Sequence, residues 1–347
     1  MPENRPVWAR AVVTGGAGFI GRHLCRRLLA AGTEVVCADN FLTSSPGNLA
    51  ALRAEPRFTL READVATALE VSGDADLVVH LASPASPADY HRHPLATLAA
   101  GSAGTQNALE LAARTGARFV LASTSEVYGD PAVSPQAEGY WGNVNPVGPR
   151  SVYDEAKRFA EALTSAHRRA GTVDTAIVRI FNSYGPGMRP GDGRIVPTFA
   201  CQALRGDPLT VAGDGHQTRS LCHVDDTVRG ILAVAASDLP GPVNIGHPDE
   251  ATVLEIAGRI IALAGSQSPI EHIPLPEDDP MSRCPDITLA REQLGWAPQI
   301  GWEAGLTGTL AWFADRLGLA PRSGAHESAA HSAATHGAAT HGAGVPA

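Results

Sequence analysis

The sequence has few of the features that direct a protein to nucleic acid, to a membrane or to an oxidising compartment. Its 27 Lys and Arg residues are outnumbered by 36 Asp and Glu residues, giving a net charge of −9, whereas nucleic-acid binders usually carry a basic excess. Its five cysteines include no Cys-x-x-Cys pair, which argues against disulfides and a zinc site. No apolar run approaches the roughly 18–20 residues that span a bilayer, and no signal peptide is evident. We therefore expect a cytoplasmic protein without a bound metal, nucleic acid or membrane.

The 347 residues are 44% hydrophobic, enough for a sizeable core. Short apolar runs alternate with stretches of helical periodicity, which is typical of βαβ units and a parallel sheet. Strands are predicted at residues 11–14, 34–38, 58–62, 76–81, 118–123 and 175–180, and helices at 20–31, 94–115, 152–170, 196–205 and 224–236.

This alternation predicts an α/β fold with a Rossmann-type doubly wound parallel sheet and a smaller C-terminal substrate-binding lobe. Residues 1–182 are assigned to an NAD-binding Rossmann domain and residues 183–320 mainly to the substrate-binding lobe. Residues 321–347 are low in complexity, with a histidine at every fifth position from 326 to 341. Such a tail offers too little apolar surface to fold, so we expect it to be disordered.

A glycine-rich turn at residues 15–21, Gly-Gly-Ala-Gly-Phe-Ile-Gly, lies between the first predicted strand and helix. Gly15 and Gly18 permit a tight turn and close approach of a pyrophosphate, and Gly21 permits close packing of the helix on the sheet. The helix N-terminus then faces the phosphates. Asp39, at the end of the second strand, is placed to accept hydrogen bonds from the adenosine ribose. The segment therefore predicts a dinucleotide site.

Asp39 also favours NAD over NADP, because its carboxylate would repel a 2′-phosphate and residues 40–44 carry no arginine to attract one. The ends of the neighbouring strands supply further candidates. The remaining predicted cofactor contacts are Phe19, Ile20, Asn40, Thr43, Ser44, Asp64, Val65, Leu81, Ser83 and Ser183, together with Tyr153 and Lys157.

Tyr153 and Lys157 are four residues apart and therefore share one face of a predicted helix. A nearby ammonium group and the positive nicotinamide ring would favour the tyrosine phenolate, which could then take a proton from a sugar hydroxyl. Thr124 and Glu126 follow a predicted strand and add a hydroxyl and a carboxylate at the edge where α/β proteins bind ligands. This combination predicts a dehydrogenase-type site.

Seven longer segments carry a resemblance to a known family. The chain resembles the extended short-chain dehydrogenase/reductases over roughly residues 11–315 and, within that family, the UDP-glucuronate decarboxylases. The segments are His80–Pro87, Ala122–Asp130, Tyr140–Pro146, Tyr153–Arg158, Arg179–Asn182, Gln217–Arg219 and Asp278–Asp286.

The resemblance implies roles for individual residues. Tyr153, Lys157, Thr124 and Glu126 match the catalytic set of the family. The resemblance also implies a homodimer, in which the helices at 94–115 and 152–170 of the two subunits form a four-helix bundle. The side chains that would contact the nucleotide sugar are Ser125, Asn182, Arg194, Arg219 and Arg283.

The implied reaction is NAD-dependent decarboxylation of UDP-glucuronate to UDP-xylose through a 4-keto sugar, with NAD regenerated in the cycle. Ser125 favours this reading, because relatives that dehydrate dTDP-glucose carry an aspartate here to protonate the leaving hydroxyl. The alternatives are a dTDP-glucose 4,6-dehydratase, a nucleotide-sugar 4-epimerase, or a non-catalytic NAD-binding regulator. One departure concerns Gly101, which stands where relatives commonly carry an asparagine that helps to order the active-site helix.

Overall fold

The computed structural model describes residues 8–319. Its main sheet contains seven parallel strands in the order β3-β2-β1-β4-β5-β6-β11, and three two-stranded pairings lie outside it. The strands are β1 (Arg10–Thr14), β2 (Glu34–Asp39), β3 (Phe58–Glu62), β4 (Leu77–His80), β5 (Arg118–Thr124), β6 (Thr175–Ile180), β7 (Ser183–Tyr184), β8 (Leu209–Ala212), β9 (Thr218–Arg219), β10 (Cys222–His223), β11 (Val243–Ile245), β12 (Ala251–Thr252) and β13 (Ile270–Ile273).

Ten α-helices are present among these residues. They are α1 (Phe19–Ala30), α2 (Pro87–Arg92), α3 (Pro94–Ala99), α4 (Thr105–Thr115), α5 (Ser151–Arg169), α6 (Ile195–Arg205), α7 (Val224–Ala235), α8 (Val253–Leu263), α9 (Thr288–Leu294) and α10 (Trp302–Arg316).

Successive residues of the central strand β1 point to opposite faces of the sheet, and both faces are buried. Val13 packs on one face with Leu24 and Leu28 of α1, whereas Val12 packs on the other with Leu109 of α4. Fully buried strands of this kind read as continuous apolar runs because helices cover both faces of a parallel sheet. The predicted fold class is confirmed, and the six strands predicted from the sequence differ from the observed strands by at most one residue at either end.

The second half of the chain contributes to two cores. Helices α6, α8 and α10 form a separate cluster around Phe199, Ile256 and Phe313. However, α7 packs into the main core, and β11 pairs with β6 at the edge of the main sheet. Residues 183–319 therefore build a smaller lobe and also complete the main sheet.

The helix predicted at 94–115 is three consecutive pieces, because a π-helical turn at Ala100–Gly104 separates α3 from α4. Gly101 in this turn lies against α5, where an added Cβ would be 2.7 Å from the Cβ of Ala156. The glycine that departs from the family pattern therefore permits a close crossing of two helices within one chain.

No helix within residues 8–319 is long and apolar enough to cross a membrane. All five cysteines are buried as free thiols. The predicted disordered tail, 321–347, lies outside the described residues.

Candidate active site

A cleft of about 1220 Å³ lies along the carboxyl ends of the main-sheet strands and is closed on its other side by the smaller lobe. This edge is where open α/β sheets bind ligands. Every predicted cofactor residue lines the cleft, and so does every predicted catalytic or substrate residue apart from Arg283. The cleft has two ends, which we call the cofactor end, around the glycine turn, and the substrate end, around Glu126.

The glycine turn at the cofactor end leaves no room for side chains. Gly15 has φ +69°, and a Cβ there would be 2.7 Å from the amide nitrogen of Ala82. A Cβ on Gly21 would collide with the carbonyl oxygen of Gly15. Gly18 is the N-cap of α1 and offers no side-chain cap, so the first backbone N–H groups of the helix face the cleft. These free donors and the bare backbone fit a dinucleotide pyrophosphate.

Asp39 closes this end of the cleft with a carboxylate held in place by three donors. Its Oδ2 accepts from the backbone N–H of Ala17 at 2.9 Å. Its Oδ1 accepts from the N–H of Phe41 and the hydroxyl of Ser44, both at 2.9 Å. A fixed carboxylate beside the glycine turn suits ribose hydroxyls and disfavours a 2′-phosphate.

Tyr153 and Lys157 lie on the face of α5 that points into the middle of the cleft. The Lys157 Nζ donates to the carbonyl oxygen of Ala122 at 2.8 Å and lies 5.9 Å from the centroid of the Tyr153 ring. The ring of Tyr90 stacks on that of Tyr153, with 5.4 Å between centroids and 5° between planes. Helix α5 and this stacking fix the direction of the Tyr153 phenol.

Burial dominates the titration of this pair. It raises the pKa of Tyr153 to about 12, against the lowering effect of the Thr124 hydroxyl. It also lowers the pKa of Lys157 to about 8, with Glu161 acting in the opposite direction. A further positive charge next to the phenol would lower its pKa.

The substrate end contains a group of five charged side chains that we call the arginine–carboxylate cluster: Glu126, Arg150, Arg219, Asp279 and Arg283. Glu126 Oε2 accepts from Arg150 at 2.5 Å and from Arg283 at 3.0 Å. Asp279 accepts from Arg219 at 2.7 Å and lies 3.4 Å from Arg150. Three guanidinium groups face two carboxylates, so the cluster carries a surplus positive charge.

The cluster keeps Glu126 ionised. Burial alone would raise the pKa of Glu126, but Arg283 and Arg150 outweigh it and hold the pKa at about 2. Asp154 lies close by, and burial together with Glu126 raises its pKa to about 7. Glu126 therefore acts near neutral pH as a fixed anion and cannot donate a proton.

The structure corrects the predicted place of Arg283. This side chain is only 1% exposed and lies behind Glu126, where it donates to Glu126 and to the carbonyl oxygen of Gly129. The sequence motif correctly placed Arg283 near the site, but it did not show whether the side chain faces the cleft or the protein interior. Its place on the cleft wall is taken by Arg150.

Arg150 and Tyr90 were not predicted from the sequence. Arg150 stands one helical turn before Tyr153, and this i, i+3 spacing was the signal that could have revealed it. Tyr90 lies in the cleft wall with a buried hydroxyl that has no partner among residues 8–319. No local pattern marks it, because only the fold stacks it on Tyr153.

Arg189 was also missed, and it bridges the mouth of the cofactor end. Its Nη2 contacts both carboxylate oxygens of Asp89 at 2.8 Å, and its Nη1 donates to the carbonyl oxygen of Thr43 at 3.1 Å. A residue of the smaller lobe thus joins the loop that follows β2 to helix α2, which follows β4.

Comparisons with known proteins agree with this geometry. Residues 11–246 match the protein family described as the NAD dependent epimerase/dehydratase family. UDP-glucuronic acid decarboxylase 1 of Arabidopsis thaliana is 48% identical over 308 residues, covering 89% of this chain and 70% of the relative. The protein of the same name from Danio rerio is 46% identical over 308 residues, covering 89% and 73%. The solved structure of a dTDP-glucose 4,6-dehydratase from Streptomyces venezuelae, with NAD bound, superposes with a TM-score of 0.81 at 30% identity, covering 89% of this chain and 98% of that one.

Proposed function

Because the chain belongs to the NAD dependent epimerase/dehydratase family, we propose that it uses NAD to convert UDP-glucuronate to UDP-xylose and CO2. The relatives at 46–48% identity carry the name of that decarboxylase. The observation that carries the proposal is that the cleft wall holds Ser125, where dehydrating relatives carry the acid, next to an ionised Glu126. Its two arginine partners keep it ionised, so it cannot protonate a leaving hydroxyl as dehydration requires.

The residues of the cofactor end would hold NAD through the turn at 15–21 and Asp39. When bound there, NAD would supply the acceptor and donor for the C4 hydride of the sugar. Tyr153 takes the proton of the 4-hydroxyl group, assisted by the hydroxyl of Thr124. The ammonium group of Lys157 is held in the cleft wall by its hydrogen bond to the carbonyl oxygen of Ala122. Its positive charge favours the Tyr153 phenolate.

Oxidation at C4 makes a ketone that is β to the C6 carboxylate of the sugar. The C5–C6 bond then breaks with release of CO2, and its electron pair moves into the C4 carbonyl to form an enolate. A proton from solvent adds at C5, and the hydride returns to C4 while Tyr153 gives its proton back to the 4-oxygen, which yields the pentose. No acid for a leaving hydroxyl is needed, which agrees with Ser125 in place of an aspartate.

The substrate end suits an anionic ligand. The surplus positive charge of the arginine–carboxylate cluster, with the further guanidinium of Arg194 on the cleft wall, offers donors for the diphosphate and the uronate of the substrate. Asn182 and Ser125 line the same wall and offer neutral hydrogen-bonding groups. We assign these guanidinium, amide and hydroxyl groups to substrate binding.

The test is to incubate the purified enzyme with NAD and a panel of nucleotide sugars and to measure products by mass spectrometry. UDP-glucuronate should lose CO2 and yield a UDP-pentose, and dTDP-glucose should remain unchanged. A 4-keto-6-deoxy sugar from dTDP-glucose would indicate the dehydratase, and a UDP-hexuronate of unchanged mass but altered chromatography would indicate the epimerase. No turnover of any sugar by NAD-loaded protein would support the regulator.

A homodimer completes the proposal. Gly101, in the predicted bundle helix, packs on Ala156 of the same chain. Large apolar side chains on the outer faces of α3 and α5 now support the pairing: Leu95 is 79% exposed and Phe159 is 51% exposed. A second copy would cover this face through a two-fold contact. Sedimentation should give twice the mass of the chain, and Phe159→Glu should give the monomer.

The five buried free thiols agree with a reducing compartment, and we place the enzyme in the cytoplasm. Fluorescence of a tagged chain in its native cell would test this location.

A further inference from the structure

Arg22 is a cleft residue that the proposed reaction does not use. It stands in the first turns of α1, and its backbone N–H donates to the carbonyl oxygen of Gly18 at 3.2 Å. Helical side chains lean towards the N-terminus of their helix, and the turn before Arg22 carries Gly18 and Phe19. All three residues line the cleft.

The charge around Arg22 is unbalanced. Among residues 8–319, neither a hydrogen bond nor an ion pair joins its guanidinium to a carboxylate, whereas Asp225 lies 3.6 Å from Arg26 on the next turn. Burial, with the positive charges of Arg26 and Arg316, lowers the pKa of Arg22 to about 10. A half-buried cation beside two other cations is unfavourable unless an anion joins it.

The loop above Arg22 is shaped around this side chain. Gly187 has φ +101°, and a Cβ at this position would collide with the Arg22 guanidinium. The loop that carries Gly187 leads to Arg189, which bridges the cofactor end. Arg22 is therefore held between the glycine turn and the loop that covers it, and it is not free in solvent.

We propose that Arg22 is a ligand of the cofactor diphosphate, adding a guanidinium to the N–H donors at the start of α1. The turn at 15–21 supplies dipoles but no full charge, whereas a diphosphate carries two negative charges. Arg22 supplies a fixed positive charge on the same helix, and charge-assisted contacts of this kind are the stronger ones. The inference rests on NAD as cofactor, but it does not depend on which sugar reacts.

The test compares ligands that do and do not contain the diphosphate. Calorimetric titration of the full-length, nucleotide-free chain would use NAD, ADP-ribose and adenosine. Arg22→Met keeps an unbranched apolar stem and removes the charged group. It should weaken NAD and ADP-ribose binding by about tenfold while changing adenosine binding less than twofold. Added salt should weaken ADP-ribose binding more steeply in the wild type than in the variant, because salt screens the positive charge of Arg22, which only the wild type carries.

Arg26→Met is the matched control, because Arg26 lies on the same face of α1 one turn further on and its side chain is 62% exposed. It should leave all three affinities unchanged. The proposal is wrong if Arg22→Met binds NAD as tightly as the wild type, or if adenosine binding falls as much as ADP-ribose binding. Circular dichroism melting of each variant separates loss of a contact from loss of the fold. The titrations use no sugar substrate, so their outcome is separate from that of the decarboxylation assay.

Discussion

The two ends of the cleft are assembled in different ways. The surface for the pyrophosphate at the cofactor end is made by consecutive residues, 15–21, through their backbone N–H groups and missing side chains. The substrate end is made by side chains from separate parts of the chain, with Glu126 after β5, Arg150 before α5 and Asp279 in a loop of the second half. A substitution in the glycine turn of the cofactor end is unfavourable because the added atoms collide with the backbone. A substitution at the substrate end is unfavourable because it leaves a buried charge without its partner.

The largest expected effect lies where the two ends meet. Tyr153→Phe removes the proposed base but keeps the ring that stacks on Tyr90. CO2 release from UDP-glucuronate should fall by about 10²- to 10⁴-fold, the usual contribution of a positioned acid or base, while NAD and UDP affinities stay unchanged. Tyr140→Phe, outside the cleft, is the control. Weaker binding of either ligand would show that Tyr153 supports one end of the cleft structurally.

Glu126→Gln tests the charge balance of the substrate end. Two arginines lose their shared anion, so the free energy of unfolding at pH 7 should fall by about 3 kcal/mol. The folded-state pKa of Glu126 is depressed to about 2; its stabilisation is therefore complete above the ordinary value near 4.5 and is lost as the pH falls towards 2. The difference in unfolding free energy between variant and wild type, measured by urea unfolding, should accordingly become smaller below pH 4.5.

Glu62→Gln is the control for this experiment, because Glu62 is exposed at the end of β3. It should change the unfolding free energy by less than about 0.5 kcal/mol. If Glu126→Gln lowers the unfolding free energy equally at pH 7 and pH 3.5, the stabilisation by Glu126 is not ionic.

Gly21→Ala tests the cofactor end. Its Cβ would collide with the Gly15 carbonyl and lie 2.7 Å from the Cα of Gly16, which should destabilise the chain by about 1–3 kcal/mol and weaken NAD binding. UDP affinity should remain that of the wild type. Gly258→Ala on α8, where no atom lies within 4 Å of an added Cβ, should instead stabilise the chain by up to about 1 kcal/mol. Loss of UDP affinity in Gly21→Ala would show that the two ends are coupled.

The smallest effect is expected at Asp154, at the border of the arginine–carboxylate cluster. Burial and Glu126 raise its pKa from 3.8 to about 7, so the folded chain holds a proton that the unfolded chain releases. The contribution of Asp154 to the stability of the wild type therefore falls as the pH rises from about 4 to 7. Asp154→Asn should be the more stable protein at pH 8 by on the order of 2 kcal/mol and equal to the wild type at pH 4. An exposed control, Asp238→Asn, should show no such pH-dependent gain in thermal unfolding.

The same contrast explains what could be predicted from the sequence. The strands and the glycine turn follow from patterns a few residues long, in which each position has a local physical reason. Tyr90 and Arg150 escaped prediction because their roles arise from contacts between distant segments. Arg283 shows the limit most clearly: its motif marked the right loop, but burial behind Glu126 is a property of the packed cluster and not of the motif.

The way in which the main sheet is completed also has a consequence for synthesis of the chain. Strand β6 receives its outer neighbour only when β11 is made, and then Val178 and Ile180 pair with Val243 and Ile245. Until the ribosome has added those residues, the edge of β6 presents unpaired backbone groups, which are a template for wrong association. A chain ending at residue 182 would keep the whole glycine turn and most of the sheet, yet we expect it to aggregate. The nascent protein is therefore most vulnerable during the roughly 60 residues of translation that separate the two strands.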